Sequence, residues 1–199
     1  VSSIALITYG GIINMYFEKL VQQHQDAVQA MLQDCIGDIQ SMADICKDAI
    51  DRGNTIFLCG NGGSAADCQH IAAEFVGRFV KERQGLPAVA MTTDTSILTA
   101  VGNDYGFKNI FRRQVEGLVR TGDVVLGIST SGNSENIMLA LTEAKKKGAI
   151  SIALTGPRPN KMADIAEVSV AIPYPVTARV QECHILIGHM VCDYVDKDF

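Results

Sequence analysis

Residues 55–74, T-I-F-L-C-G-N-G-G-S-A-A-D-C-Q-H-I-A-A-E, leave the chain few folds to choose from. Thr55–Cys59 is a short run of β-branched and apolar residues, about the length of one buried strand. Gly60, Gly62 and Gly63 then allow a sharp turn and bring backbone N–H groups close to a ligand. Ser64 is expected to cap the helix that follows, whose first turn offers unpaired N–H groups and a partial positive charge. Such an end is a place for an anion. His70 and Glu74, four residues apart, share one face of that helix. An anion pocket beside a His/Glu pair points to chemistry on a phosphorylated or acidic small molecule.

The rest of the chain repeats the strand–helix rhythm. Strands are predicted at Pro87–Met91, Val124–Ile128, Ile150–Leu154 and Val168–Ile172. Helices are predicted at Ala65–Val80, Ser96–Val101, Asn109–Val119, Glu135–Lys147, Met162–Ala166 and Ala178–Val195. Strands separated by helices of this length make an α/β fold with a mostly parallel sheet, whose ligands bind outside the carboxyl ends of the strands. Two amphipathic helices, Tyr16–Leu32 and Cys35–Asp51, precede the first strand. Such a pair has no place inside the sheet and packs on the domain's flank or on another subunit. The expected organisation is an upstream extension over 1–14 outside the core, N-terminal helices over 15–53, and one α/β domain over 54–199.

A second anion site follows the third strand, in G-I-S-T-S-G-N-S (127–134). Ser129, Thr130, Ser131 and Ser134 supply hydroxyls at the threshold of another helix. Neither loop has a P-loop lysine, and the first lacks the third glycine of a dinucleotide fingerprint. The last helix carries Gln181, Glu182, His184 and His189. With His70 and Glu74 these offer nitrogen and carboxylate ligands suited to a divalent metal such as zinc. Gln181 and His189 are separated by a rise of about 12 Å along a straight helix. If both reach one ion, their side chains lean together or a second subunit contributes one of them. His24, among glutamines, reads as solvated surface.

Charge and cysteine usage narrow the class further. A net charge of −5, with Lys145–Lys147 as the one basic run, argues against a nucleic-acid surface. That run ends a predicted helix, where cations complement the dipole. Six cysteines without a C-x-x-C spacing read as reduced, buried thiols of a cytoplasmic protein. Val1–Asn14 is apolar but has no basic flank, and it is too short and glycine-rich to span a membrane. The amphipathic pattern begins after Met15, the expected native start.

With these residues in view, the chain resembles the sugar isomerase (SIS) domain family, and within it the phosphoheptose isomerases. The resemblance rests on C-G-N-G-G-S-A-A-D (59–67) with His70 and Glu74, G-N-D-Y-G (102–106), G-I-S-T-S-G-N-S (127–134) and R-V-Q-E (179–182), and covers about Met15 to Asp196. It implies a three-layer, doubly wound domain with a five-stranded parallel sheet in flavodoxin-like order. It implies interconversion of sedoheptulose 7-phosphate and D-glycero-D-manno-heptose 7-phosphate in a cytoplasmic homotetramer. Active sites would lie between subunits with one zinc each, and the product would feed lipopolysaccharide core or a related surface polysaccharide.

Carried over by position, the resemblance implies zinc on His70, Glu74, Gln181 and His189. It implies substrate contacts from Asn61, Gly62, Gly63, Glu74, Asn103, Asp104, Ser129, Thr130, Ser131, Ser134 and Gln181. Glu74 is implied as general base and His189 as general acid. A carboxylate tight on zinc is a poor base, so either Glu74 leaves the metal during turnover or zinc occupies the resting site. The family's glycine-rich loop after the fourth strand is replaced here by T-G-P-R-P-N-K (155–161). A non-enzymatic relative that binds a replication initiator lacks the carboxylate and the last-helix histidine, both of which this chain has. A DNA-binding regulator, or an isomerase with added regulatory repeats, would need domains that 199 residues do not accommodate.

Overall fold

The computed structural model describes residues 2–199, and their side chains from residue 15 onward. Five strands form one parallel sheet: β1 (Ile56–Gly60), β2 (Ala88–Ala90), β3 (Val124–Ser129), β4 (Ile150–Thr155) and β5 (Val168–Ala171). The helices are α1 (Ser2–Asp34), α2 (Ile36–Asp51), α3 (Gly63–Val76), α4 (Thr95–Tyr105), α5 (Arg112–Leu118), α6 (Glu135–Lys146), α7 (Lys161–Ile165) and α8 (Thr177–Asp196). A 3₁₀ turn at Phe107–Asn109 joins α4 to α5. The strand order β2-β1-β3-β4-β5 is the flavodoxin-like one. After β2 the chain crosses to the other side of β1, so the switch in winding direction falls between β1 and β3. The expected extension over 1–14 lies outside the residues whose side chains are described.

Both sheet faces are covered. Strands β1 and β3 are buried along their whole length, which accounts for their continuous apolar runs. One face packs Leu58, Leu126, Ile128 and Ile152 against α1, α2, α3 and α8. The other packs Phe57, Val125 and Ala153 against α5, α6 and α7, through Phe111, Ile137, Leu141 and Met162. The N-terminal pair lies on the domain's flank, with α2 against α8 and β5. Among the described residues no helix is long and apolar enough to cross a membrane.

Several expected helices differ at their ends; α4 runs on to Tyr105 where Val101 was expected, and two others have a visible cause. The helix after the glycine turn stops at Val76 instead of Val80, because the chain folds back on it: the Gly77 N–H donates to Ala73 O and the Leu86 N–H to Phe75 O. The Asp196 carboxylate accepts from the backbone N–H groups of Val80 and Lys81, which holds the loop away from helical geometry. The helix expected from Asn109 begins at Arg112, since Phe107–Asn109 takes the tighter 3₁₀ turn after Gly106.

Helix α8 reaches the sheet through a fully buried histidine. His184 Nε2 lies 3.0 Å from Thr155 O; a carbonyl only accepts, so the proton sits on Nε2. Nδ1 is buried with no partner among the described residues. Burial pushes the imidazole down to about 4, partly opposed by the bond to Thr155 O. Between the ordinary value of 6.5 and about 4, the unfolded chain takes up a proton that the folded chain refuses. Stability therefore falls as pH drops through this window, by at most about 1.4 kcal/mol per pH unit from this group. Urea titrations of wild type and His184→Gln at pH 7 and pH 5 read that slope. The variant is expected to lose less stability between the two pH values, and an equal loss would contradict the assignment.

Candidate active site

The β1–β3 register pairs Cys59 with Gly127 and Gly60 with Ile128, so the two loops leave the sheet side by side. Gly62 caps α3 in a left-handed conformation (φ 56°) that only glycine adopts readily. Ala65 and Ala66 donate to its carbonyl, so the helix starts before Ser64, which is a buried helical residue and not the expected cap. The serine's side chain instead lines a cavity of about 130 Å³ with Asn61, Ile128, Ser129, Thr130, Ser131 and Ser134. Ser129 Oγ lies 2.9 Å from Ser134 Oγ and 3.3 Å from Ser131 Oγ, so the hydroxyls are already gathered. The cavity opens at the N-terminus of α6, while Glu135 is paired outward with Lys108 at 3.8 Å.

One member of this site escaped the sequence reading. The amides of Asn61 and Asn136 pair reciprocally, each Nδ2 donating to the other's Oδ1 at 3.0 and 2.9 Å. Asn136 is buried in the first turn of α6, so the pair bolts the glycine turn to the serine loop. The available signal was an asparagine inside a helix beside a serine-rich turn, where its propensity is poor.

The second feature lies along α3 and α8. His70 Nε2 is 3.1 Å from Glu74 Oε1 and 3.2 Å from His189 Nε2, and the three ligand atoms lie within 4.8 Å of one another. A single Nε2–H cannot serve both contacts of His70 well, whereas one cation would accept a lone pair from each group. A tetrahedral zinc with Zn–N of about 2.0–2.1 Å has ligand atoms about 3.3 Å apart, so the spacing fits. The Phe79 ring, 5.6 Å from the His189 ring, shields one side. Close approach of the helices depends on Gly188: a Cβ there would lie 2.6 Å from Ile71 Cδ1. Gly188 and Ile71 are the sequence neighbours of His189 and His70.

The structure gathers three of the four expected metal ligands. Gln181 lies elsewhere, its Nε2 at 3.5 Å from Asp67 Oδ2 and so close to Gly63 that a Cβ there would fall 1.9 Å away. Burial raises the Asp67 carboxyl, opposed by Gln181 and His70. Asn103 and Asp104 bond each other at 2.8 Å near the exposed end of α4, away from the serine cavity. Next to the glycine turn, Gly60, Asn61 and Gly62 line a second cavity of about 170 Å³ with Thr92, Leu98 and Phe107. His24, expected to be solvated, pairs with Glu182 at 2.7 Å, and Arg179 holds Glu182 from the other side.

Known proteins resemble this chain along nearly its whole length. The family model described as SIS domain matches residues 17–156. The chain is 49% identical over 184 residues to a phosphoheptose isomerase of Nitratiruptor, covering 92% of this chain and 98% of that one. It is 51% identical over 180 residues to the phosphoheptose isomerase of Aquifex aeolicus, covering 90% and 94%. The solved phosphoheptose isomerase of Neisseria gonorrhoeae superposes with a TM-score of 0.87 at 42% identity, covering 92% of this chain and 98% of that one.

Gly188→Ala tests the spacing of α3 and α8. The added methyl gains about 0.5–1 kcal/mol of helix propensity but overpacks Ile71 by roughly 1–3 kcal/mol. It is expected to widen the His70–His189 gap and weaken zinc binding at least tenfold in a competition titration with a chromophoric chelator. Ile71→Ala in the same chain is expected to restore most of that affinity. Wild-type affinity in Gly188→Ala would show that the glycine does not set the spacing.

Proposed function

The chain belongs to the phosphoheptose isomerases of the SIS-domain family, and on that footing we propose that it interconverts sedoheptulose 7-phosphate and D-glycero-D-manno-heptose 7-phosphate through a cis-enediol. The observation that carries this reading is the hydroxyl-lined cavity at the carboxyl edge, with Glu74 and His189 brought together further along α3 and α8, so that the proposed site between subunits is what joins the two. Ser129, Thr130, Ser131 and Ser134 hold the phosphate with the N-terminus of α6. Asn61, Gly62, Gly63 and Gln181 line the path of the sugar, and Asn103 and Asp104 close over its far side in the assembled enzyme.

The proton transfers follow from the positions. Glu74 removes the C1 proton of the ketose while His189 donates a proton to O2, giving the enediol. The O1 proton then passes to His189, and Glu74 returns its proton to C2, leaving the aldehyde at C1. One carboxylate and one imidazole thus serve both directions with no net consumption of protons. His70, Glu74 and His189 would hold one zinc per subunit in the resting site, with Gln181 joining only by leaving Asp67, and Glu74 and His189 leave the ion to act on the sugar. When bound, such an ion would supply Lewis-acid polarisation of the sugar oxygens. In the metal-free site His70 lies 3.1 Å from Glu74 and orients its carboxylate.

The assembly we propose is a homotetramer with active sites between subunits. Its support is the exposed apolar side of the first helix, where Tyr16, Phe17 and Val21 are each more than half exposed. A cytoplasmic location is supported by six cysteines that are all buried and unpaired. The product's expected use is heptose for lipopolysaccharide core or a related surface polysaccharide.

The test is turnover of sedoheptulose 7-phosphate by zinc-loaded wild type and Glu74→Gln, with fold and metal content measured on both. The wild type is expected to form the aldose, and folded Glu74→Gln to lose roughly 10²–10⁴-fold in kcat. In deuterated water the aldose should carry solvent deuterium at C2. No turnover by a folded, zinc-loaded wild type would refute the assignment, and full activity in Glu74→Gln would remove Glu74 from the chemistry.

A further inference from the structure

Behind the His70–Glu74–His189 cluster lies a charged pair that the reaction does not touch. Arg83 and Asp196 have side chains only 3% exposed, with Arg83 Nε donating to Asp196 Oδ1 at 2.5 Å. The rest of the guanidinium is used on backbone: Nη2 donates to Glu74 O at 3.1 Å, and Nη1 to Phe75 O at 2.9 Å and Gln84 O at 3.1 Å. The other oxygen of Asp196 accepts from the Val80 and Lys81 N–H groups at 3.0 and 2.7 Å. Arg83 therefore caps the last turn of α3, where carbonyls have no helical partner, and does so from the last residue of α8.

Those two helices carry the reactive groups. Glu74 lends one of the capped carbonyls, and His189 lies seven residues, two turns, before Asp196 on α8. A buried ion pair is a weak device for stability alone, since apolar residues of similar size often do as well. It is a strong device for geometry, because a planar guanidinium fixes several acceptors at once, which an ammonium cannot. We propose that the Arg83–Asp196 pair is a positioning tie that locks the end of α3 to the end of α8 and so sets the separation of the Glu74 carboxylate from the His189 imidazole. The proposal rests on the reading of Glu74 and His189 given above. Gly188 lets the helices touch beside the two histidines, and the tie fixes how far one slides along the other.

The experiment uses the full-length protein as Arg83→Lys and Asp196→Asn, alongside wild type and Glu74→Gln, with two readouts. In kinetics, both tie variants are expected to lower kcat by about 10–100-fold with KM within about threefold, because a displacement of an ångström at the reacting groups costs on that order while the phosphate loops are untouched. In competition titrations, zinc affinity is expected to fall at least tenfold in the same variants. Circular dichroism and thermal melts report whether each is folded. Asp196→Asn keeps the shape and one acceptor but turns the other oxygen into a donor facing N–H groups, so it breaks one side of the tie without changing volume and serves if Arg83→Lys does not fold. Wild-type kcat and zinc affinity in either folded variant would overturn the proposal. So would a rate loss that vanishes once normalised to the folded fraction. Failure of the isomerase reading shows separately, as an inactive wild type or a fully active Glu74→Gln, and zinc affinity still tests the tie in that case.

Discussion

The close contact of α8 with α3 at Gly188 and Ile71 is the constraint on which the reactive part of the molecule depends. The helices lie on the same face of the sheet, far apart in sequence, and each brings groups that do nothing alone. Where a larger residue would hold them apart, glycine lets the two imidazoles come within 3.2 Å. Three lone-pair donors then face one another, an arrangement that costs energy until a cation or a proton relieves it. The fold tolerates it because both helices are anchored elsewhere: α3 along β1 and β2, α8 along α2 and against β4 through His184.

The sheet supplies the other half. Winding reverses between β1 and β3, so no helix fills the crevice at their carboxyl ends, and the loops that follow are free to meet a ligand. The Asn61–Asn136 amide pair makes the two loops one rigid unit. In the proposed reaction the labour would be divided: backbone turns and hydroxyls at the switch point would grip the invariant end of the substrate, and side chains on α3 and α8 would act on the changing end. In that proposal, binding energy at the phosphate would be used to place C1 and C2 against Glu74 and His189 in the assembled enzyme.

Much of this was legible in the sequence, and the parts that were not share a cause. Strand–helix alternation gave every strand, because β1 and β3 are buried on both faces and read as unbroken apolar runs. The glycine turn, the serine loop and the His70–Glu74 spacing were visible because their chemistry is local. The meeting of His189 with His70 was reached through the resemblance, but the Asn61–Asn136 bolt and the Arg83–Asp196 tie each join residues more than seventy positions apart, and no periodicity reports them. The premature end of α3 was hidden for the same reason, since its stop signal is a carboxylate contributed by α8. Ser64 misled in a different way. It looked like a cap because of its residue type, but Gly62 had already turned the chain, leaving the hydroxyl for the cavity.

The electrostatics of the serine cavity bear on how the proposed phosphate and metal sites would work together. A sugar phosphate carries nearly two negative charges, yet no lysine or arginine lines the cavity, and the chain itself has a net charge of −5. Hydroxyls, backbone N–H groups and a helix N-terminus hold an anion by short-range contacts, each of order 0.3–2 kcal/mol for the dipole, with little long-range attraction. Such a grip favours shape over charge and lets product leave. In the proposed reaction a strong positive field is needed only where negative charge develops, at the two sugar oxygens of the enediol, and a cation held by His70, Glu74 and His189 would supply it. A cationic phosphate clamp would bind substrate and transition state alike, whereas charge concentrated at the reacting carbons acts on the difference between them.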